Sequence, residues 1–299
     1  MTTIEYSSSC LTEQNYREKI AEAHAVVVDA GYEFGVQIHN SISQSFLEKL
    51  LEYANDLNLS VHSPALAPFF LNLANTDQAA IERILPGCLQ VLQRARSNIL
   101  FFHGFFMCDN PIEHNMRDYR RVMISAMGNE FAYGDSIVQN PNAFNTASFA
   151  ARKIIFQENM EWLQKRLPEI IVACENDFVG IGSGLQRPQE ILELVNNVWF
   201  DTGHFWVSSL LHGFDFEKSA LDIIGKKNIV GVHLHHNFST QSDVPEQLRD
   251  SHAHLYEAAP QNLAPLVRAM RDKGVPRFCL EIVNGNLRDI EVLLGWLKS

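Results

Sequence analysis

Short β-branched and aromatic runs alternate with helix-period stretches from one end of this 299-residue chain to the other. That alternation restricts the fold more than any other feature, because consecutive strands separated by helices must lie parallel. Strands are expected at Thr3–Ser7, Gly35–His39, Leu59–His62, Asn98–His103, Glu169–Glu175, Val198–Asp201, Asn228–His235 and Arg277–Glu281. Helical stretches fall at Glu13–Ala30, with Ile20, Ala23 and Val27 at helical spacing, and at Phe46–Leu57. Others are expected after Thr76, read as an N-cap, and at Gln189–Val195, Leu263–Lys273 and Leu287–Leu297. Eight β/α units in this length suit a closed (β/α)8 TIM barrel, a single domain over residues 1–299. The alternative is an open doubly wound sheet, but no strand is followed by a phosphate-binding glycine motif.

One stretch breaks the rhythm. Residues 104–146 form a long insertion after the fourth strand, carrying Pro111 and Pro141. A connection of that length is usually functional, and here it is read as a lid over the site. Arg117, Arg120 and Arg121 would be available to meet an anionic group, although surface charge on a short helix is the plainer reading of any one of them.

Charge and cysteine usage narrow the function classes. With a formal net charge of −11, the surface has no general attraction for nucleic acid or anionic membrane. Cys10, Cys88, Cys108, Cys174 and Cys279 are odd in number and scattered, so a disulfide framework or zinc knuckle is not expected. A reducing, cytoplasmic setting follows. The N-terminus lacks the basic start and apolar core of a signal peptide, and no apolar run is long enough to span a membrane.

In a barrel, active sites are built where the strands end. Those ends carry His39, His62, His103, Glu175, Asp201, His233 and Glu281. A single histidine there is more often a hydrogen-bonded structural residue than a ligand. Glu175 and Glu281 terminate apolar runs, where an unpaired carboxylate is heavily penalised. A metal ion is the simplest partner that lets such groups converge. Asp201-Thr-Gly-His204 places a carboxylate and an imidazole where both reach the mouth, with Gly203 letting the backbone turn between them. On the seventh strand His233 and His235 share a face, while His236 points away. Asp250-Ser-His252 repeats the carboxylate–imidazole pairing in a polar loop, with His254 as the substitute for His252.

In order along the chain, Val61-His-Ser-Pro64, Leu71-Asn-Leu-Ala74, Phe102-His-Gly104, Cys174-Glu-Asn176, Phe200-Asp-Thr-Gly-His204, Val232-His-Leu234, Asp250-Ser-His252 and Leu280-Glu-Ile282 form a set of words. The set resembles the xylose isomerase-like TIM barrels, which include the endonuclease IV proteins and the sugar isomerases and epimerases. The resemblance covers roughly residues 34–282 apart from the insertion. It implies a core metal set of Glu175, Asp201, His233 and Glu281. For a multinuclear site of the endonuclease IV type it adds His62, His103, His204, Asp250 and His252. Asp250 stands over Asp243 by the word match alone.

On the isomerase and epimerase side, the resemblance implies a small polyhydroxylated carbonyl substrate and proton transfer through a metal-stabilised enediolate. Glu175 and Glu281 would be acid/base groups as well as ligands, and His204 would bond a substrate oxygen. His39, His235 and Asn176 would bind substrate. One to three divalent ions are expected, zinc or manganese, with the imidazole count disfavouring magnesium. The alternative is an endonuclease IV-like zinc phosphodiester hydrolase. Against it, the N-terminal glycine-rich word of that family is missing from Thr2–Ser9, and Gln37–Ser43 has no arginine to enter a duplex. A small-molecule substrate is therefore expected, with nucleic acid second; several barrel relatives pair, so a homo-oligomer is in keeping.

Overall fold

A computed structural model of the chain describes residues 2–114, 118–127, 131–134 and 136–299. Eight strands, β1 (Thr3–Ser7), β2 (Glu33–Ile38), β3 (Asn58–Ser63), β4 (Ile99–Phe102), β5 (Ile171–Glu175), β6 (Asn197–Asp201), β7 (Asn228–Leu234) and β8 (Arg277–Leu280), close into a barrel in sequence order. Every pairing is parallel, including that of β8 with β1. The (β/α)8 barrel expected from the alternation is the observed fold.

Helices α1 (Tyr16–Asp29), α2 (Gln44–Tyr53), α3 (Gln78–Arg94), α4 (Tyr119–Met127), α5 (Ala147–Arg166), α6 (Pro188–Leu194), α7 (Thr202–His212), α8 (Phe216–Lys226), α9 (Ala264–Lys273) and α10 (Leu287–Lys298) make up the helical layer and the insertion. Among the described residues, no helix is long and apolar enough to cross a membrane. Two details differ from the sequence reading. Asp77, not Thr76, caps α3, its side chain accepting from Ala79 N, while Thr76 N donates to Asp109. Helices α5, α7 and α8 lie outside the stretches whose sequence pattern marks a helix.

Side chains fill the barrel in layers. Near the N-terminal ends of the strands, Glu5 accepts from Ser60 Oγ at 2.9 Å and pairs with Arg277. Above them Phe101 and Trp199 stack with ring centroids 3.8 Å apart. A Cβ on residue 231 would overlap the Trp199 ring, so Gly231 makes room for that stack. The layer above it is polar, and it lies at the strand C-terminal ends.

The insertion contains α4 and is stitched to neighbouring loops by the bridges Phe69–Glu113 and Val138–Gly180. Phe70, Phe106, Cys108, Ile112, Val122, Met123 and Ile181 form a separate apolar cluster there. Arg121 pairs with Asp118 at 2.6 Å and Arg120 donates to the Gly134 carbonyl, so both contacts are local to the insertion. Arg117 lies outside the described residues.

Candidate metal centre at the barrel mouth

Period-two alternation carries the barrel interior upward to one residue per strand: Ala173 leads to Glu175, Trp199 to Asp201, Gly231 to His233 and Cys279 to Glu281. All four upper residues are buried, and each offers a ligand atom within 4.8 Å of the other three. His233 Nδ1 lies 2.8 Å from Glu175 Oε1, 3.1 Å from Glu281 Oε2 and 3.5 Å from Asp201 Oδ2. Three carboxylates around one nitrogen, out of water, require positive charge among them. Within the protein alone, protons on imidazoles supply it. Burial acts against a charged His233, but Glu281 and Glu175 outweigh it and hold its pKa well above the ordinary value. Glu281 is correspondingly held well below the carboxylate range, burial being outweighed chiefly by His233 and His39.

Asp201 serves two structures at once. As the N-cap of α7, its Oδ1 accepts from His204 N at 2.6 Å, which leaves Oδ2 for His233 and for His235 Nε2 at 3.2 Å. Gly203 sits inside the first helical turn rather than in a turn of its own. A Cβ there would overlap the His235 ring, so close packing of that imidazole explains the glycine, not the backbone turn expected from the sequence.

Two further groups flank the central four. Glu175 Oε2 has His62 Nε2 at 3.2 Å and His103 Nε2 at 3.6 Å. Asp250 Oδ2 has His204 Nε2 at 2.9 Å and His252 Nε2 at 2.8 Å. His204 is held well above the ordinary histidine pKa, burial being overcome by Asp201 and Asp250; Asp250 raises His252 to about 10 in the same way. His62 behaves oppositely: burial, with the imidazoles of His103 and His39, holds it well below.

The donor set fits divalent ions. Glu175 Oε2, both nitrogens of His62 and Asp250 Oδ1 are buried without a hydrogen-bond partner; the 3.2 Å approach of His62 to Glu175 is close but not aligned as a bond. Four other imidazoles are tied on their outer nitrogen to an acceptor, which leaves the inner one aimed at the cluster. His233 Nε2 donates to Gln37 Oε1 (2.8 Å) and His103 Nδ1 to Asp177 Oδ1 (3.1 Å). His204 Nδ1 donates to the Asn176 carbonyl (3.0 Å) and His252 Nδ1 to that of Glu281 (2.8 Å). Metal-binding imidazoles are characteristically held this way.

The structure thus gathers all nine of the carboxylates and imidazoles named as core or multinuclear ligands. His252 rather than His254 joins them, since His254 Nδ1 bonds Asp289 of α10 at 2.9 Å. Asp243 instead accepts from Thr240 N in a turn. Among the three residues expected to bind substrate, His39 lines the mouth: its Nδ1 accepts from Ser41 N, and its Nε2 donates to Glu281 Oε1 at 3.0 Å. The other two are placed differently. Both ends of the Asn176 amide are engaged by the Asp201 backbone, which ties β5 to β6. His235 is fully buried behind His252, with ring centroids 4.3 Å apart. Sequence reasoning missed Gln37 and Asp177, the outer partners; Asp177, two residues beyond Glu175, shares its parity along the chain.

Above the centre is a cavity of about 360 Å³, with His39, His62, His103, His204, His252 and Glu281 among its lining. Phe70, Phe106, Ile137, Phe178 and Leu248 form its apolar walls, Phe106 and Ile137 coming from the insertion. A larger cavity of about 560 Å³ lies between the loop after β3 and α3. Its charged groups are engaged in ion pairs, Asp77 with Arg83, Arg94 with Glu48 and Asp109 with Arg152, so it lacks comparable chemistry.

No family model and no curated protein matches the sequence. Solved structures do match. A D-tagatose 3-epimerase-like protein aligns at 18% identity and TM-score 0.60, over 100% of this chain and 97% of its own. A xylose isomerase domain containing protein from Salmonella typhimurium aligns at 14% and 0.56, over 99% and 97%. A D-allulose 3-epimerase from Methylomonas sp. aligns at 15% and 0.52, over 99% and 96%. The chain has the fold of the xylose isomerase-like TIM barrels.

Proposed function

We propose that this chain is a divalent-metal-dependent enzyme of the sugar isomerase and epimerase kind, moving a proton on a small polyhydroxylated carbonyl compound. The observation that carries the reading is the convergence of Glu175, Asp201, His233 and Glu281 beneath a cavity of about 360 Å³. A divalent ion held by those four residues would polarise a carbonyl and stabilise charge developing on its oxygen. Proton transfer falls to the chain itself. Glu281 lines the cavity and is the base that takes the carbon-bound proton, with His39 donating to its second oxygen. Glu175 lies beneath the lining, where it serves as a ligand and as the second acid/base group. His204, at the cavity wall, bonds a substrate oxygen, and the apolar walls, including those from the 104–146 lid, exclude water. The small cavity favours a compact substrate over a nucleic acid. Buried, unpaired cysteines are in keeping with a cytoplasmic setting.

A second reading, a multinuclear zinc phosphodiester hydrolase, is favoured by the orphaned atoms of His62, Glu175 and Asp250 outside the central four. Elemental analysis of protein purified without chelator separates the two: about one ion per chain for the first reading, two or three for the second. Incubation in deuterated water with a panel of keto-sugars should give exchange next to the carbonyl. Cleavage of an abasic duplex without any exchange would reverse the ranking.

A further inference from the structure

We propose that Gln37 is a positioning residue for the centre: its side-chain carbonyl holds the Nε2–H of His233 and so presents Nδ1 to the carboxylates. The inference rests on the metal-dependent reading above. Gln37 belongs to β2, opposite Ser7 and Ser60 in register, and is fully buried. Its Oε1 lies 2.8 Å from His233 Nε2, while across the same ring Nδ1 meets Glu175, Glu281 and Asp201. A neutral imidazole offers a lone pair on Nδ1 only when its proton sits on Nε2, and inside a barrel that proton needs an acceptor. The Cys279 thiol also meets the ring, but sulfur is a weak acceptor.

The carboxamide is poorly explained by packing. Gln37 Nε2 has no hydrogen-bond partner, a standing penalty that methionine or leucine in the same space would avoid. Acceptance from His233 is the one interaction the amide makes among the described residues, and it is the interaction that fixes the tautomer. Loss of such an outer partner generally weakens metal binding about 10–100-fold.

The test uses the full chain, stripped with chelator and titrated with zinc alone against a competing chelator. Gln37→Met should weaken zinc affinity about 10–100-fold, whereas Gln37→Glu, which keeps an acceptor, should stay near wild type. The ring 15N spectrum of zinc-loaded wild type should show His233 protonated on Nε2. Unchanged affinity in Gln37→Met, or equal loss in both variants, overturns the proposal, as does a proton on Nδ1. Melting curves of the zinc-free variants show whether each folds; if Gln37→Met does not, Gln37→Glu and the wild-type spectrum decide. A wild type that takes up neither zinc nor manganese refutes the metal-dependent reading itself, an outcome distinct from the others.

Discussion

Glu281 divides its carboxylate between two imidazoles, Oε2 towards His233 and Oε1 towards His39, while its backbone carbonyl accepts from His252. Replacing it by glutamine keeps the shape and removes both the charge and the basicity. Glu281→Gln is expected to fold, by circular dichroism, and to lose about 100-fold or more in turnover of whichever keto-sugar exchanges deuterium. A variant as active as wild type would remove Glu281 from the chemistry. At this scale the sequence is informative where a polar residue ends an apolar run, as Glu175, Asp201 and Glu281 do. It is silent on Gln37 and Asp177, because their partners lie 196 and 74 positions away. Asn176 and His235 show the complementary case: they lie close to residues of the cluster in sequence, yet their own side chains are engaged by backbone or buried behind another ring.

Between elements, Asp201 explains why α7 leaves no mark in the sequence pattern. The strand ends and the helix begins on one residue, leaving no loop for a sequence pattern to mark. Helix α5 was hidden differently: it buries Asn159 and exposes Ile154, which blurs its apolar stripe. The far end of α7 carries its own testable contact. His212 Nε2 donates to Gln186 Oε1 at 2.9 Å and its ring meets Phe144 edge-on. Burial, reinforced by Arg187, pushes its pKa down to about 4, against about 6.5 for an unfolded histidine. Between those values the unfolded chain binds the proton more readily, so this share of stability is full above about pH 6.5 and is lost as pH falls towards 4. Urea unfolding at pH 7 and pH 5 should show His212→Gln losing about 1–2 kcal/mol less than wild type over that interval. Equal losses would show that the ring does not titrate as described.

For the molecule as a whole, strand count and order were legible because parallel sheets leave a regular alternation in the chain. The insertion was legible only as an interruption, since its fold depends on a local apolar cluster with Phe70 and Ile181 from other loops. The concentration of buried acid at one end of the barrel bears on overall stability. Adding zinc or manganese to chelated protein at about 100 times the dissociation constant contributes about 2.7 kcal/mol, so the thermal midpoint should rise on the order of 5 °C. No rise with either ion would argue against a resident metal.

Beneath the acidic layer, the Phe101–Trp199 pair closes the bore of the cylinder. Among the described residues, the cavity above the centre is walled by Phe106, Phe178 and Leu248, which flank an approach for ions and small molecules. Bulk added at those three thresholds would slow arrival and departure alike, while alterations around Glu5 and Arg277, on the sealed side, would leave traffic untouched.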